Sequence, residues 1–197
     1  KTSGLDEVLA VTKMGQRPFG GADFGTEHAF SGGPSGNQAQ FTSLALGAGG
    51  SIHVAETEHS LLLSNNAMGY AYNSNGAIAG TWTNTLADDG NAGVNDVGST
   101  PSIGVLTDGT PVIAYYDTTN KSLRFAISTV PDGGNNTGAT WTTYRIDTSR
   151  FGSQVGLNPA LGVLAHSGHP DKILVAYGVA DGTTQVLRLI QFDAPTH

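Results

Sequence analysis

The sequence repeats itself, and this repetition is the feature that most constrains its fold. The segment PSIGVL at 101–106 is echoed by PALGVL at 159–164 and, more faintly, by TSLALG at 42–47. Likewise, GTWT at 80–83 matches ATWT at 139–142, and corresponding residues lie 58 or 59 positions apart. A near-constant period of this length indicates stacked copies of one supersecondary unit, each of which needs neighbours to cover its apolar face.

The middle repeat predicts four short strands separated by turns. The strands are expected at 102–106, 111–116, 122–127 and 141–146. The Asp108-Gly109 pair predicts a hairpin, because both central residues of a type I′ turn need positive φ. Four antiparallel strands in roughly 50 to 60 residues match the size of one propeller blade.

The other two repeats follow the same course less completely. Strands are expected at 43–46, 51–55, 69–72 and 80–86 in the first repeat, with an insertion at 59–68, and at 160–164, 172–177 and 184–192 in the third. A further strand is predicted at 5–12, before a Gly-rich stretch at 15–40. We expect that strand to pair onto the third repeat and supply its missing fourth strand, which would remove a free sheet edge. Helix is expected to be minor.

We therefore predict an all-β protein of about three β-propeller blades, each of four antiparallel strands. The N-terminal strand and Gly-rich arm would span 1–41, and the blade repeats 42–197, divided at about 42–98, 99–156 and 157–197. Natural propellers have four or more blades. We therefore expect either a homo-oligomer or an additional chain to complete the propeller, or a longer polypeptide.

Composition narrows the class of protein. The 197 residues carry 13% charged side chains, 28 Gly, no Cys and a net charge of −7, which suits an exported, turn-rich β protein. With only nine Lys and Arg, the chain offers no basic patch for nucleic acid or an anionic membrane. No apolar run approaches the roughly 20 residues of a transmembrane helix. The first residue is Lys1, without a leader, as expected for a mature product or a piece of a longer protein.

The middle repeat resembles the blades of secreted bacterial sialidase-like β-propellers. Its segment GNNTGATW at 134–141 is similar to the family's Asp-box, Ser-x-Asp-x-Gly-x-Thr-Trp, with Gly134 in place of Ser and Asn136 in place of Asp. The resemblance covers roughly 42–193 and implies blade architecture, with the box Trp packed between blades. It does not by itself imply the family's chemistry, because such boxes stabilise turns and a shared fold hosts many activities.

Several residues could contact a ligand. Tyr115 and Tyr116 precede Asp117, Arg124 lies on the next predicted strand, and Arg17 stands in a Gln-Arg-Pro segment similar to the family's Arg-Ile-Pro motif. A sialidase would use an arginine cluster, a Tyr nucleophile and an acid, but these residues do not follow the family's catalytic order. We expect them instead to stack on and hydrogen-bond a glycan.

The function predicted from these residues is an exported binding or adhesion module, at the cell surface or outside the cell, without its own catalysis. Its ligand would be a glycan or a protein. One alternative is a structural repeat subunit of a surface fibre or larger complex, with 15–40 as the arm that docks a neighbour. The other alternative is a fragment of a sialidase-like glycoside hydrolase.

Metal and cofactor sites are not expected. On a strand, His53 and His59 share one face while Glu56 points to the other, so this cluster is interpreted as solvated strand-end residues. Asp88, Asp89 and nearby loop oxygens could collect Ca²⁺ but lack the spacing of a calcium-binding loop, and a turn is expected there. The segment HSGHPD at 166–171 is interpreted as an enlarged turn rather than a catalytic triad, because nothing near it signals an oxyanion hole.

Overall fold

A computed structural model describes residues 10–13, 25–28, 38–59, 65–74, 76, 82–130, 141–148 and 153–195, with backbone alone at 10–13, 25–28 and 38–39. The strands are β1 (Ala10–Lys13), β2 (Gly25–His28), β3 (Gln38–Leu46), β4 (Ile52–His59), β5 (Asn66–Asn73), β6 (Thr83–Asp88), β7 (Ser99–Val105), β8 (Pro111–Asp117), β9 (Ser122–Ser128), β10 (Trp141–Asp147), β11 (Gln154–Leu164), β12 (Lys172–Ala180) and β13 (Gln185–Asp193). Helical segments in these ranges are two short turns, Ala48–Gly50 and Gly90–Gly93. Neither is long and apolar enough to cross a membrane.

Three antiparallel sheets carry the repeats, so the all-β prediction is confirmed. The first sheet orders β3-β4-β5-β6, the second β7-β8-β9-β10 and the third β11-β12-β13. Each runs as a meander in which consecutive strands are neighbours, close to the strand positions read from the sequence. Within the described ranges the sheets do not close into a ring.

The prediction that the N-terminal strand completes the third sheet is wrong. β1 pairs instead with β2, in a continuous register from Ala10 opposite His28 to Lys13 opposite Gly25. One hydrogen-bonding edge of β1 is therefore occupied by β2, which is nearby in the sequence. Pairing with β2 closes a shorter loop than pairing with a strand near the far end of the chain would. Among the described residues, β13 remains the outermost strand of the third sheet.

The second sheet lies between the other two. β7 packs on β3 and β4, while β11 packs on β7, β8 and β9. We call the face that carries Ala55, Ala114 or Ala176 the forward face of each sheet, and the opposite face the backward face. The forward faces of the first and second sheets each meet the backward face of the next sheet.

Two apolar seams hold this stack together. The seam between the first and second sheets contains Met68, Tyr70, Ile103, Ile113 and Tyr115, and that between the second and third contains Leu123, Phe125, Ile173, Val175 and Tyr177. Burying each such side chain contributes about 1.5–3 kcal/mol. Because the second sheet is covered on both faces, β8 is a continuous apolar run rather than an alternating one.

A repeated serine links the first strands of successive sheets. The backbone N–H of Ile103 donates to Ser43 Oγ at 3.2 Å, and that of Leu161 donates to Ser102 Oγ at 2.9 Å. The two serines occupy corresponding positions, opposite Ala55 and Ala114. The repeat in the sequence is thus a repeat of inter-sheet contacts.

A second repeated contact lies six residues before each of the donors Ile103 and Leu161. The N–H of Val97 donates to the carbonyl of Asn66 at 3.1 Å, and the N–H of Val155 donates to the carbonyl of Lys121 at the same distance. Both valines are buried, and each begins a Val-Gly dipeptide. The chain therefore enters each new sheet by bonding to the third strand of the previous one or to the turn just before it.

The glycine of each dipeptide allows the two backbones to approach. Gly98 has φ 83° and Gly156 has φ 99°, in the left-handed region that glycine adopts without steric cost. A Cβ on Gly98 would lie 2.6 Å from the carbonyl oxygen of Ala67, and one on Gly156 would lie 2.6 Å from Leu123 Cα. Any side chain here would push the sheets apart.

The predicted hairpin at Asp108-Gly109 is present, but its turn is not type I′. Only Gly109 of the pair has a positive φ, 91°. The N–H of Gly109 donates to the carbonyl of Leu106 at 3.0 Å, and Leu106 N–H bonds the Thr110 carbonyl. This is the three-residue arrangement in which a type I turn is followed by a left-handed glycine.

We expect Gly156→Ala to destabilise the protein more than Gly182→Ala. Both glycines have positive φ, but nothing lies within 4 Å of a Cβ on Gly182. The control should therefore cost about 1 kcal/mol for conformation alone, whereas Gly156→Ala should cost at least about 2–3 kcal/mol. Urea unfolding measures both, and equal losses would contradict a close backbone contact at the seam.

Candidate functional site

Five side chains form one polar network between the first and second sheets. Asp88 Oδ2 accepts a hydrogen bond from the Tyr115 hydroxyl at 2.5 Å and lies 3.0 Å from Arg124 Nη2. Arg124 Nη1 lies 3.3 Å from Asp117 Oδ2, and Arg124 Nη2 donates to Thr143 Oγ1 at 3.0 Å. One guanidinium thus joins two carboxylates that belong to different sheets.

Both carboxylates are held by local backbone structure. Asp88 ends β6, and its Oδ1 accepts the N–H of Gly90, the first residue of a left-handed turn at Gly90–Gly93. Asp117 ends β8 and accepts the backbone N–H and side-chain amide of Asn120. The turn expected near Asp88 from the sequence is observed, and it serves to position this carboxylate.

The structure brings together three of the five residues predicted to contact a ligand. Tyr115 and Asp117 are 0% exposed, and the Arg124 side chain is 15% exposed. Tyr116 points to the opposite face of the second sheet and is 7% exposed, and Arg17 lies outside the described residues. Neither tyrosine presents an open ring face on which a glycan could stack.

The network does not activate a nucleophile. Burial, followed by the negative charge of Asp88, raises the pKa of Tyr115 well above its ordinary value, so the phenol stays protonated. A phenol that attacks a substrate would need a lowered pKa and access from solvent. What the arrangement can do is fix the first sheet against the second.

Residues of β4 are buried rather than solvated, which corrects the prediction for His53 and Glu56. His53 is 0% exposed, and its ring nitrogens lie 2.8 Å from the Tyr70 hydroxyl and 3.0 Å from Ser51 Oγ. Glu56 is 2% exposed on the backward face, opposite to His53 as the alternation predicted. Within the described ranges, no three His, Cys, Asp or Glu side chains gather into a metal-binding group.

The carboxyl group of Glu56 is buried without a full set of hydrogen-bond partners. Its Oε2 has no hydrogen-bond partner, and both Glu56 Oε1 and Glu58 Oε2 lie 3.3 Å from the position that a Cβ on Gly69 would take. Burial, then the nearby charge of Glu58, raises the pKa of Glu56 from 4.5 to about 8. Glu56 is therefore mainly a neutral carboxylic acid at pH 7.

A solvent-open groove lies where the turn after β7 meets the loop between β11 and β12. We call it the Asp171 groove. It is lined by Thr107, Asp108, His166, His169, Pro170 and Asp171. Two adjoining depressions of about 310 and 710 Å³ share Thr107, His169 and Pro170. The loop at 165–171 is the enlarged turn predicted from the sequence.

Buried Asp171 ties the two sides of this groove together. Its Oδ2 accepts the backbone N–H of Thr107 at 2.7 Å and the Thr107 hydroxyl at 3.0 Å, while its Oδ1 accepts the N–H of His166 at 3.4 Å. Asp171 is 6% exposed, so its carboxylate is a positioning group rather than a ligand contact. Reasoning from sequence did not pair Thr107 with Asp171, because they belong to different repeats.

The exposed side chains of the Asp171 groove include both aromatic rings and hydrogen-bonding groups. The imidazoles of His166 and His169 stack with ring centroids 4.6 Å apart and planes at 22°. Beside them lie the exposed carboxyl group of Asp108 and the hydroxyl group of Ser167. Flat rings next to hydrogen-bonding groups in a concave site can bind a polar ligand.

No protein-family model matches the sequence, and no curated protein matches it significantly. Functional arguments for this chain therefore rest on its own residues.

We expect Arg124→Met to cost about 3–5 kcal/mol of unfolding free energy, because it leaves two buried carboxylates without their cation. Arg145→Met is the matched control, since Arg145 pairs opposite Arg124 on β10 but is exposed. That change should cost at most about 0.5 kcal/mol. Chemical denaturation compares the two, and a small loss for Arg124→Met would show that the network does not stabilise the seam.

We expect stability to fall as pH rises from about 4.5 to about 8, because folding holds Glu56 protonated while the unfolded chain releases its proton. The contribution of protonated Glu56 to the free energy of unfolding is complete below pH 4.5 and is lost above the folded-state pKa of about 8. At about 1.4 kcal/mol per pKa unit, the loss is on the order of a few kcal/mol.

Glu56→Gln keeps the shape but cannot ionise, so its unfolding free energy should change little across this window. Urea titrations of both proteins at several pH values measure the difference. Parallel pH profiles for the two proteins would contradict the assignment to Glu56.

Proposed function

We propose that this protein is an exported, non-catalytic binding module of stacked propeller-type sheets, and that it recognises a glycan in the Asp171 groove. The observation that carries the proposal is the stacked His166–His169 pair beside the carboxyl group of Asp108, in a groove that buried Asp171 holds in shape. The glycan contact moves here from Tyr115 and Tyr116, which are buried.

The side chains that line the Asp171 groove are suited to bind a sugar. Sugars present apolar C–H faces and many hydroxyls, so they suit planar rings flanked by hydrogen-bonding groups. The imidazoles supply the rings, and Asp108 and Ser167 supply acceptors and donors. Because Asp171 joins the turn of one sheet to the loop of the next, the groove is pre-formed, which lowers the entropic cost of binding.

The burial and hydrogen bonding of Tyr115 favour a binding role over hydrolysis. The phenol of Tyr115 is 0% exposed and engaged with Asp88 at 2.5 Å. A sialidase-like mechanism would need that hydroxyl at the substrate. Absence of turnover of a fluorogenic sialoside is the outcome that we expect from this arrangement.

A glycan array probed with the whole chain tests the proposal. We expect binding to a limited set of glycans, and we expect the double substitution His166→Ala and His169→Ala to weaken that binding at least about tenfold, as loss of a central contact does. Failure of the wild-type chain to bind any glycan would overturn the proposal.

Two turn aspartates provide a matched pair for the same experiment. Asp108 accepts the N–H of Thr110 within the groove, and Asp181 accepts the N–H of Thr184 in a turn elsewhere. Asp108→Asn should weaken glycan binding, whereas Asp181→Asn should leave it unchanged. Equal effects of the two substitutions would place the site outside the groove.

A further inference from the structure

The loop that forms one wall of the Asp171 groove is longer than its counterparts in the other two sheets. In the first and second sheets, five residues join corresponding paired positions of the first two strands, at 47–51 and 106–110. In the third sheet nine residues, 164–172, make the same connection. The two imidazoles of the groove and Ser167 lie in this longer loop, so the groove is a feature added to the repeated scaffold.

Buried Asp171 brings a negative charge to the groove. Its two carboxyl oxygens accept three hydrogen bonds, from the N–H and the hydroxyl of Thr107 and from the N–H of His166. An ionised carboxylate accepts hydrogen bonds and donates none, so this set of donors suits the charged form. Any ligand in the groove therefore lies near a fixed anion.

Asp108 adds a second carboxyl group, and this one is open to solvent. Its Oδ1 accepts the N–H of Thr110 at 2.9 Å, which holds the side chain in the turn after β7. Asp108 is exposed and lines the groove. It is therefore placed to contact a ligand directly, whereas Asp171 acts from a buried position.

These two aspartates face the ligand without a balancing cation from the groove. Among the described residues that line it, none is Lys or Arg. Lys172, which follows Asp171 in the chain, forms an ion pair with Asp193 and does not line the groove. A bound ligand thus meets an excess of negative charge.

We propose that the Asp171 groove selects uncharged glycans over acidic ones, and that Asp108 sets this selectivity. The inference rests on the proposed function and adds the class of sugar to it. Sugar hydroxyls can donate hydrogen bonds to the carboxyl group of Asp108. A glycan carboxylate or sulfate would instead lose hydration and meet a like charge, which is how a site rejects a wrong partner.

Sialic acid is among the sugars that this groove should reject. The resemblance of the repeats to sialidase-like propellers would suggest that ligand, whose carboxylate is best bound by a bidentate arginine. Arg124 and Arg188 are each bound to an aspartate at a seam between sheets, and neither lines the groove. The selectivity that we propose is therefore opposite to that of a sialic acid site.

Pairs of glycans that differ only in an acidic group test the inference. Each uncharged glycan on the array is compared with the same glycan carrying a sialic acid or a sulfate. Binding is measured at pH 8, because histidine side chains ordinarily change charge between about pH 5 and 8. We expect the wild-type chain to bind the uncharged member at least about tenfold more tightly. Equal or tighter binding of the acidic member would overturn the inference.

Substitution of Asp108 tests its role in the selectivity. Asp108→Asn keeps the size of the side chain and an oxygen for the N–H of Thr110 but removes the charge, so the preference for uncharged glycans should fall at least about threefold. Asp108→Lys should reverse the preference. The matched controls Asp181→Asn and Asp181→Lys change the same charge in a turn that does not line the groove, and they should keep the wild-type preference. An unchanged preference in Asp108→Asn would overturn the assignment to Asp108.

Ionic strength provides a readout that a folding defect would not reproduce. Added salt screens exposed charges, so it should strengthen the binding of acidic glycans to the wild-type chain and leave that of uncharged glycans unchanged. Preferential binding of acidic glycans that is lost in His166→Ala with His169→Ala would overturn the selectivity and leave the glycan proposal standing. Failure to bind any glycan would instead overturn the glycan proposal, and this inference with it.

Discussion

The distance between successive sheets is set by two glycines pressed against the backbone of the preceding sheet. Gly98 and Gly156 leave no room for a side chain, and the valine before each donates its N–H to the third strand of the preceding sheet or to the turn just before that strand. Directional hydrogen bonds and steric contact together fix where β7 and β11 begin. The apolar side chains of both seams then meet at a defined separation, and this separation also places Asp88 within reach of Arg124.

Each seam carries its own polar feature on top of this shared framework. Between the first and second sheets, the cation of Arg124 is shared by two carboxylates. Between the second and third sheets, Asp171 bonds the Thr107 turn and shapes the groove. The Tyr–Asp–Arg contact is repeated in the second seam, where Asp147 Oδ2 accepts from the Tyr177 hydroxyl at 2.6 Å and lies 2.7 Å from Arg188 Nη1. The bond between Asp171 and Thr107 belongs to the second seam, and a loop contact of this kind lets a repeated scaffold present one site.

Features that depend on neighbouring residues could be predicted from the sequence, whereas features that depend on contacts between residues far apart in the chain could not. Strand positions and the Asp108-Gly109 hairpin were readable from turn residues, whereas the turn type depended on how the strands twist. Burial of both Tyr115 and Tyr116 was not readable, because alternation assumes one solvated face and the second sheet has none. The Val-Gly dipeptides 58 residues apart were a readable signal for the seams that went unused. The Asp171–Thr107 bond offered no such signal, since only the fold brings these residues together.

The two seams should respond differently to temperature. The ion pair of the second seam, between Asp147 and Arg188, is partly exposed and costs little dehydration. Around Phe125, which meets Phe192 edge to face at 5.3 Å, this seam consists of apolar surface, whose exposure gives a large positive heat-capacity change. Such surface contributes less on cooling. The Arg124 network carries a dehydration cost for charged groups, and that cost falls on warming. A single chain thus joins a contact that weakens in the cold to one that is relatively favoured by heat.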